Sequence, residues 1–213
     1  MPILSPHVEA YLEAVRPPRS RVMADMERLA ERDSVPIVQW ETGRMLAALA
    51  GSLDARVLEV GTAIGYSALH MAEALDEGHI VTLERDPGRI AQARELLDRA
   101  GVGHRVDIVE GEARETLPTL EGPFDLLFLD ATKGEYREYL ELAEPKLSER
   151  ALLVVDNLLM SGEVADPDGG GSGRWPRETV DAGRAFNTGL LASEHWRGAV
   201  LPVGDGVGLA TRI

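Results

Sequence analysis

After residue 55 the chain repeats one pattern five times: a short aliphatic run, a polar or glycine-bearing turn, then a helix-like stretch. The runs are "RVLEVG", "HIVTLE", "VDIVEG", "FDLLFLD" and "LLVVDN". Unbroken β-branched and leucine residues, without polar alternation, suit strands buried on both faces. Between them, Asp86 can cap and Pro87 can start a helix whose apolar face is Ile90, Ala93, Leu97 and Ala100, stopped at Gly101. "ARETLPTL" reads as a short helix and "KGEYREYLELAEPKL" as a stronger one. Helical crossovers between strands favour a parallel sheet covered on both sides, an α/β fold of the Rossmann-like kind. The last region, "WRGAVLPVGDGVGLATRI", joins two strand-like runs through Gly204-Asp205-Gly206, which predicts an antiparallel final pair.

Three helices are expected ahead of the first strand. "SPHVEAYLEAV" offers Ser5 as N-cap and Pro6 at the first helical position, and places Val8, Tyr11, Leu12 and Val15 on one face. "RVMADMERLAER" and "ETGRMLAALAG" follow, the latter expected to close at Gly51. With 213 residues, 44% of them hydrophobic, the chain is long enough for one large core and short for two. The expectation is one domain, 1–213, with helices in 1–50 covering the site and an α/β core over 56–213.

No run of 18 apolar residues and no leader-like N-terminus is visible, so a cytoplasmic location without membrane insertion is expected. The absence of cysteine excludes disulfides, thiolate metal sites and a cysteine nucleophile. A net charge of −14, from 36 acids against 22 bases, opposes nucleic acid and anionic membranes as partners. The arginines between Arg16 and Arg32 read as a solvated helical face. "DPDGGGSG" reads as a flexible loop inside the domain.

Ligands of open parallel sheets bind beyond the C-terminal ends of the strands, so the residues there decide function. The first strand runs into "LEVGTAIGYS", where Gly61 and Gly65 allow a tight turn and close ligand approach, with Glu59 and Ser67 as polar groups. The G-x-x-x-G spacing lacks the G-x-G-x-x-G of a pyrophosphate site, which disfavours a dinucleotide. Glu84, closing "VTLE", stands where an acid accepts both ribose hydroxyls. "EGEAR" offers the backbone of Glu112 and Ala113 to an adenine edge.

Taken together, "LEVGTAIGYSALHMA", "VTLERDP", "EGEARETLP", "FDLLFLDATKGEY" and "LLVVDNLLMSGEV" resemble the cation-dependent S-adenosylmethionine O-methyltransferases, the group containing catechol O-methyltransferase and the plant caffeoyl-coenzyme A enzymes. The resemblance covers about residues 35–213. It implies a seven-stranded, mostly parallel sheet with the last strand inserted antiparallel. It implies cofactor contacts at Glu59, Gly61, Thr62, Gly65, Ser67, Glu84, Ala113, Asp130 and Thr132, with Val38 near the methionine end. Asp130, Asp156 and Asn157 match the metal ligands and Lys133 the general base, beside Asp130 in the catalytic pair. A homodimer is implied as well. Ser161 stands where the plant enzymes carry a substrate-contacting asparagine, a departure from the ester-using type.

Two carboxylates and an amide carbonyl make a hard, all-oxygen site suited to Mg²⁺, or to Mn²⁺ or Ca²⁺. Two adjacent hydroxyls of a catechol-like acceptor could fill its open positions. Bringing a phenol from a pKa of about 10 to about 7 requires roughly 4 kcal/mol of anion stabilisation, most of it assigned to the metal. Lys133 follows Asp130 by three residues in "DATK", so both can face one crevice. Trp175 is a candidate aromatic wall for the acceptor. His70, His79 and His195 read as structural, and Tyr136 and Tyr139 as cover for the sheet. Two other readings stand beside this one: a nucleotide-dependent oxidoreductase, and a cofactor-binding protein without catalysis.

Overall fold

The computed structural model describes residues 4–166 and 173–213. The residues 167–172 of the glycine-rich stretch, Asp168 among them, lie outside the described ones. Three helices come first: α1 (Pro6–Ala14), α2 (Arg21–Asp33) and α3 (Trp40–Leu53). The alternating part then runs β1 (Arg56–Val60), α4 (Tyr66–Ala72), β2 (His79–Glu84), α5 (Pro87–Arg99), β3 (Val106–Glu110), α6 (Ala113–Thr116), β4 (Phe124–Leu129), α7 (Tyr136–Ala143) and β5 (Leu147–Val155). It closes with α8 (Arg177–Leu191), β6 (Trp196–Leu201) and β7 (Val207–Arg212).

The seven strands form one sheet in the order β3-β2-β1-β4-β5-β7-β6. The first five are parallel, and β7 slots between β5 and β6, antiparallel to both. This is the expected α/β class with its last strand inserted. The mainly aliphatic runs have a simple cause. Successive side chains of a strand point to opposite faces, and here both faces are covered. Val57, Ile80, Leu126 and Val154 pack with Met26, Leu46, Leu69 and Leu97 from α2 to α5. Their neighbours Leu58, Leu127 and Leu153 pack with Leu117, Tyr136, Phe186 and Leu190 on the other side.

Helix starts follow their capping chemistry. The Ser5, Ser20 and Asp86 side chains accept from Val8 N (3.4 Å), Met23 N (3.2 Å) and Arg89 N (2.9 Å). Gly101, with φ 79°, ends α5 as expected. Two expectations need correction. First, α3 does not close at Gly51 but runs on to Leu53, capped by Asp54 at φ 45°. Gly51 serves packing instead, because a Cβ there would meet Ala74 O at 2.7 Å. The Asp54 carboxylate receives the N–H groups of Asp76, Glu77 and Gly78, which hold it below the usual carboxylate range. Second, the apolar residues of α1 do not share a buried face. Val8, Tyr11 and Val15 are exposed, and only Leu12 turns toward a cavity. Among the described residues no helix is long and apolar enough to cross a membrane.

Candidate active site

The C-terminal ends of β1, β2, β4 and β5 meet along one edge of the sheet. Gly61 opens the turn after β1 with φ 106°, and a Cβ there would sit 2.2 Å from Asp130 O, so strand ends approach too closely for any side chain. Gly61 N and Thr62 N both donate to Leu83 O, at 3.1 and 3.2 Å. Glu84, ending β2, fastens the turn from the side: its Oε2 accepts from Ala63 N at 2.9 Å, while Oε1 accepts from Arg85 N and Asp86 N.

A cavity of about 340 Å³ lies over this turn. Of the residues expected to meet a cofactor, Val38, Gly61, Thr62, Ser67, Glu84, Ala113, Asp130 and Thr132 line it. Glu59 and Gly65 do not. Gly65, at φ 83°, faces Leu97 and Ala93 of α5, where a Cβ would meet them at 3.3 and 3.4 Å. Glu59 is fully buried beneath the turn, accepting from Ser67 Oγ and Thr82 Oγ1, both at 2.5 Å. Burial pushes its carboxyl up to about 7 against the opposing pull of those two hydroxyls, with the charges of Asp130 and Glu84 adding to the rise.

A larger cavity, about 1270 Å³, adjoins the first and holds Asp130, Lys133, Asp156 and Asn157 together, with Ser161 and Trp175 on its wall. Sheet hydrogen bonding sets the two acids side by side: Asp130 N donates to Val60 O and Asp156 N to Leu129 O, each at 3.0 Å. Lys133 forms an ion pair with Asp130 Oδ1 and lies 5.6 Å from the centre of the Tyr136 ring. The Tyr136 hydroxyl donates to Asp156 O at 3.2 Å, so this tyrosine props the end of β5 as well as covering the sheet.

Asp156 is 4% exposed, and its Oδ1 is buried without a hydrogen-bond partner among the described residues. Burial first, then the Asp130 charge, pushes its carboxyl up to about 7. A buried carboxylate oxygen with no donor is costly, and a hard divalent cation is the group that would satisfy it. The donor set therefore fits such an ion. Asp130, Asp156 and the amide of Asn157 would be its donors; no three His, Cys, Asp or Glu side chains converge on a metal-sized site among the described residues.

Sequence reasoning missed three contributors. Tyr66, directly after Gly65, lines both cavities. Glu27 of α2 receives its hydroxyl at 2.7 Å. Asp205 lines the larger cavity from the hairpin between β6 and β7. Only the aromatic residue in "IGYS" left a usable signal; the glycines around Asp205 signalled a turn and nothing more. His70 is buried, its ring edge-on to Tyr66 and its pKa lowered to about 4, chiefly by burial.

Residues 18–213 match the family model described as O-methyltransferase. The chain belongs to that family. Among curated relatives, catechol O-methyltransferase of Mycobacterium tuberculosis is 38% identical over 164 residues, 75% of this chain and 74% of that protein. Catechol O-methyltransferase of Niastella koreensis is 37% identical over 179 residues, covering 81% and 78% of the two chains. Among solved structures, the O-methyltransferase TomG of Streptomyces achromogenes, in complex with S-adenosylmethionine, superposes with a TM-score of 0.84 at 30% identity over 97% of this chain and 96% of that one. The Podospora anserina methyltransferase PaMTH1, bound to S-adenosylhomocysteine, gives 0.84 at 31% identity over 97% and 94%. The protein is thus an enzyme of methyl transfer to oxygen, and the oxidoreductase reading falls away.

Proposed function

We propose that this enzyme transfers the methyl group of S-adenosylmethionine to one hydroxyl of a catechol-like small molecule, with Mg²⁺ or a similar divalent cation held by Asp130, Asp156 and Asn157. The observation that carries this reading is the junction of the two cavities. Val38, Tyr66, Asp130, Lys133 and Trp175 border both, so a donor over the glycine turn and an acceptor beside the oxygen ligands would meet across one wall. The names of the relatives support the same chemistry.

Within this reading Glu84 takes the ribose hydroxyls, and the backbone around Ala113 faces the adenine. Val38, Ser67 and Thr132 bound the methionine end. The cation would supply Lewis acidity that favours the ionised form of an acceptor hydroxyl. Lys133 Nζ is the group that would accept the hydroxyl proton, with Asp130 holding it in place. The acceptor oxygen then forms the new O–C bond as the S–C bond breaks, leaving the electron pair on sulfur and the proton on Lys133. Trp175 and Ser161 wall the acceptor. Much of the acceleration comes from holding two reactants in line, which can be worth about 7 kcal/mol or more.

The deciding experiment incubates the protein with S-adenosylmethionine, Mg²⁺ and a panel of catechols, and reads a methyl-sized mass gain. Asp156→Ala is expected to lower turnover by roughly a hundredfold or more while leaving cofactor affinity within about threefold, because its side chain lies off the cofactor cleft. Turnover that survives both Asp156→Ala and a strong chelator would sink the metal part of the reading. No product from any catechol would sink the acceptor class.

A further inference from the structure

Residues 157–161, just beyond the end of β5, hold an unusual backbone. Asn157, Met160 and Ser161 have φ of 60°, 45° and 55°. Asparagine tolerates this left-handed region, but Met160 and Ser161 are strained in it and persist there only when the surroundings over-determine them. What over-determines them is the tip of the β6–β7 hairpin. Leu158 N donates to Gly206 O at 2.8 Å and Leu159 N to Asp205 O at 3.0 Å. Ser161 N donates to Asp205 Oδ1 at 2.5 Å, and Asn157 Nδ2 reaches Asp205 Oδ2 at 3.5 Å, a long contact. Gly206 permits the approach, since a Cβ there would lie 2.4 Å from Leu159 Cγ.

The chemistry of this contact is directional. An ionised carboxylate only accepts hydrogen bonds, so the amide of Asn157 must turn its NH₂ to Asp205. Its carbonyl oxygen is then the atom left for the cavity that Asp130 and Asp156 also line.

We propose that Asp205 is a positioning residue: it fixes the amide orientation of Asn157 and the backbone of residues 157–161, so that Asn157 Oδ1 is presented with the two carboxylates to a divalent cation. This rests on the metal reading given above. In this role Asp205 acts through Asn157.

The test is calorimetric titration of Mn²⁺ into the protein with saturating S-adenosylhomocysteine, for wild type, Asp205→Ala, Asp205→Asn, Asn157→Ala and the Asn157→Ala/Asp205→Ala pair. Asp205→Ala is expected to weaken Mn²⁺ by about ten- to a hundredfold with S-adenosylhomocysteine affinity unchanged. Asp205→Asn, which keeps one acceptor oxygen, is expected to lose less. The double variant is expected to bind Mn²⁺ no worse than Asn157→Ala alone, because the two act as a unit. Mn²⁺ affinity within about twofold of wild type in Asp205→Ala overturns the proposal, as does a loss matched by equal losses of S-adenosylhomocysteine affinity and Tm. Should Asp205→Ala not be recovered folded, Asp205→Asn decides by the same readings. A wild type that takes up no Mn²⁺ defeats the metal reading itself and this inference with it, before any variant is compared.

Discussion

Glu59 carries a consequence for stability that its position in "LEVG" does not suggest. Its carboxyl, at about 7, lies well above the 4.5 of an ordinary glutamate. Between those values the native state keeps a proton that the unfolded chain has lost. The free energy of unfolding therefore falls as pH rises across this window and levels off above it. For a fully buried group the full effect is up to about 3 kcal/mol. Glu59→Gln removes the titration while keeping one acceptor. Urea denaturation from about pH 5 to about pH 8 is expected to show the variant gaining on wild type by about 3 kcal/mol, and parallel curves would refute it. The same residue shows where sequence reading stops. An acid near a glycine turn is legible as part of a ligand site; of its two hydroxyl partners, Ser67 lies in the same segment, but Thr82 is its cross-strand neighbour in the β1–β2 register. Register depends on which strands pair, and the order of residues does not reveal it. Asp156 and Asn157 were legible because an aliphatic strand ending in two oxygen-bearing side chains has few structural uses. Asp205, 48 residues further on from Asn157, had no such context.

Among the elements, the parallel strands and the helices with clear caps could be read directly. α5 matches its reading from Asp86 to Gly101, for example, because cap, proline, apolar face and terminal glycine all lie within one segment. The N-terminal helices were harder. The arginines from Arg16 to Arg32 read as a solvated face, and Arg28 and Arg32 do lie at the surface, paired with Asp25 and Asp33. Arg16 instead turns inward onto Glu27, its guanidinium 5.6 Å from the centre of the Trp40 ring, while the exposed Arg19 also reaches Glu27, Nε lying 3.0 Å from its Oε2. No periodicity within one helix reveals a partner on another. Glu27 thereby ties the α1–α2 connection to Tyr66, the first residue of α4 after the Gly61–Gly65 turn. Since α1 buries no residue of its own, this node is its main anchor. Glu27→Ala leaves two arginines and a phenol without their acceptor, a loss of about 2 kcal/mol. Hydrogen exchange is expected to show α1 losing protection, and the acceptor KM to rise about tenfold with kcat within about threefold. Unchanged exchange over residues 6–14 would show that α1 is anchored elsewhere.

At the scale of the whole molecule, alternation of runs and turns was enough to establish a parallel sheet with a reversed final pair, because covering both faces leaves strands no polar alternation. The acceptor was not legible from the motif, and the charge of the molecule bears on it. A net charge of −14 surrounds a cavity whose outer wall carries Glu9, Glu13 and Glu41 against Arg16 and Arg174. Relatives include enzymes named for caffeoyl-coenzyme A, a thioester whose carrier bears several phosphate charges. Here a like-signed field would oppose that carrier and leave a small neutral catechol unaffected. At low ionic strength kcat/KM for the free catechol is expected to exceed that for the coenzyme A ester of the same ring by about a hundredfold or more. Raising salt from about 0.02 M to about 0.2 M shortens the screening length from roughly 20 Å to under 10 Å, so the ester's value should climb while the catechol's stays level. Equal, salt-independent turnover of both would mean that the acid wall lies off the path of the carrier, and that the acceptor's size and the Ser161 position govern the choice instead.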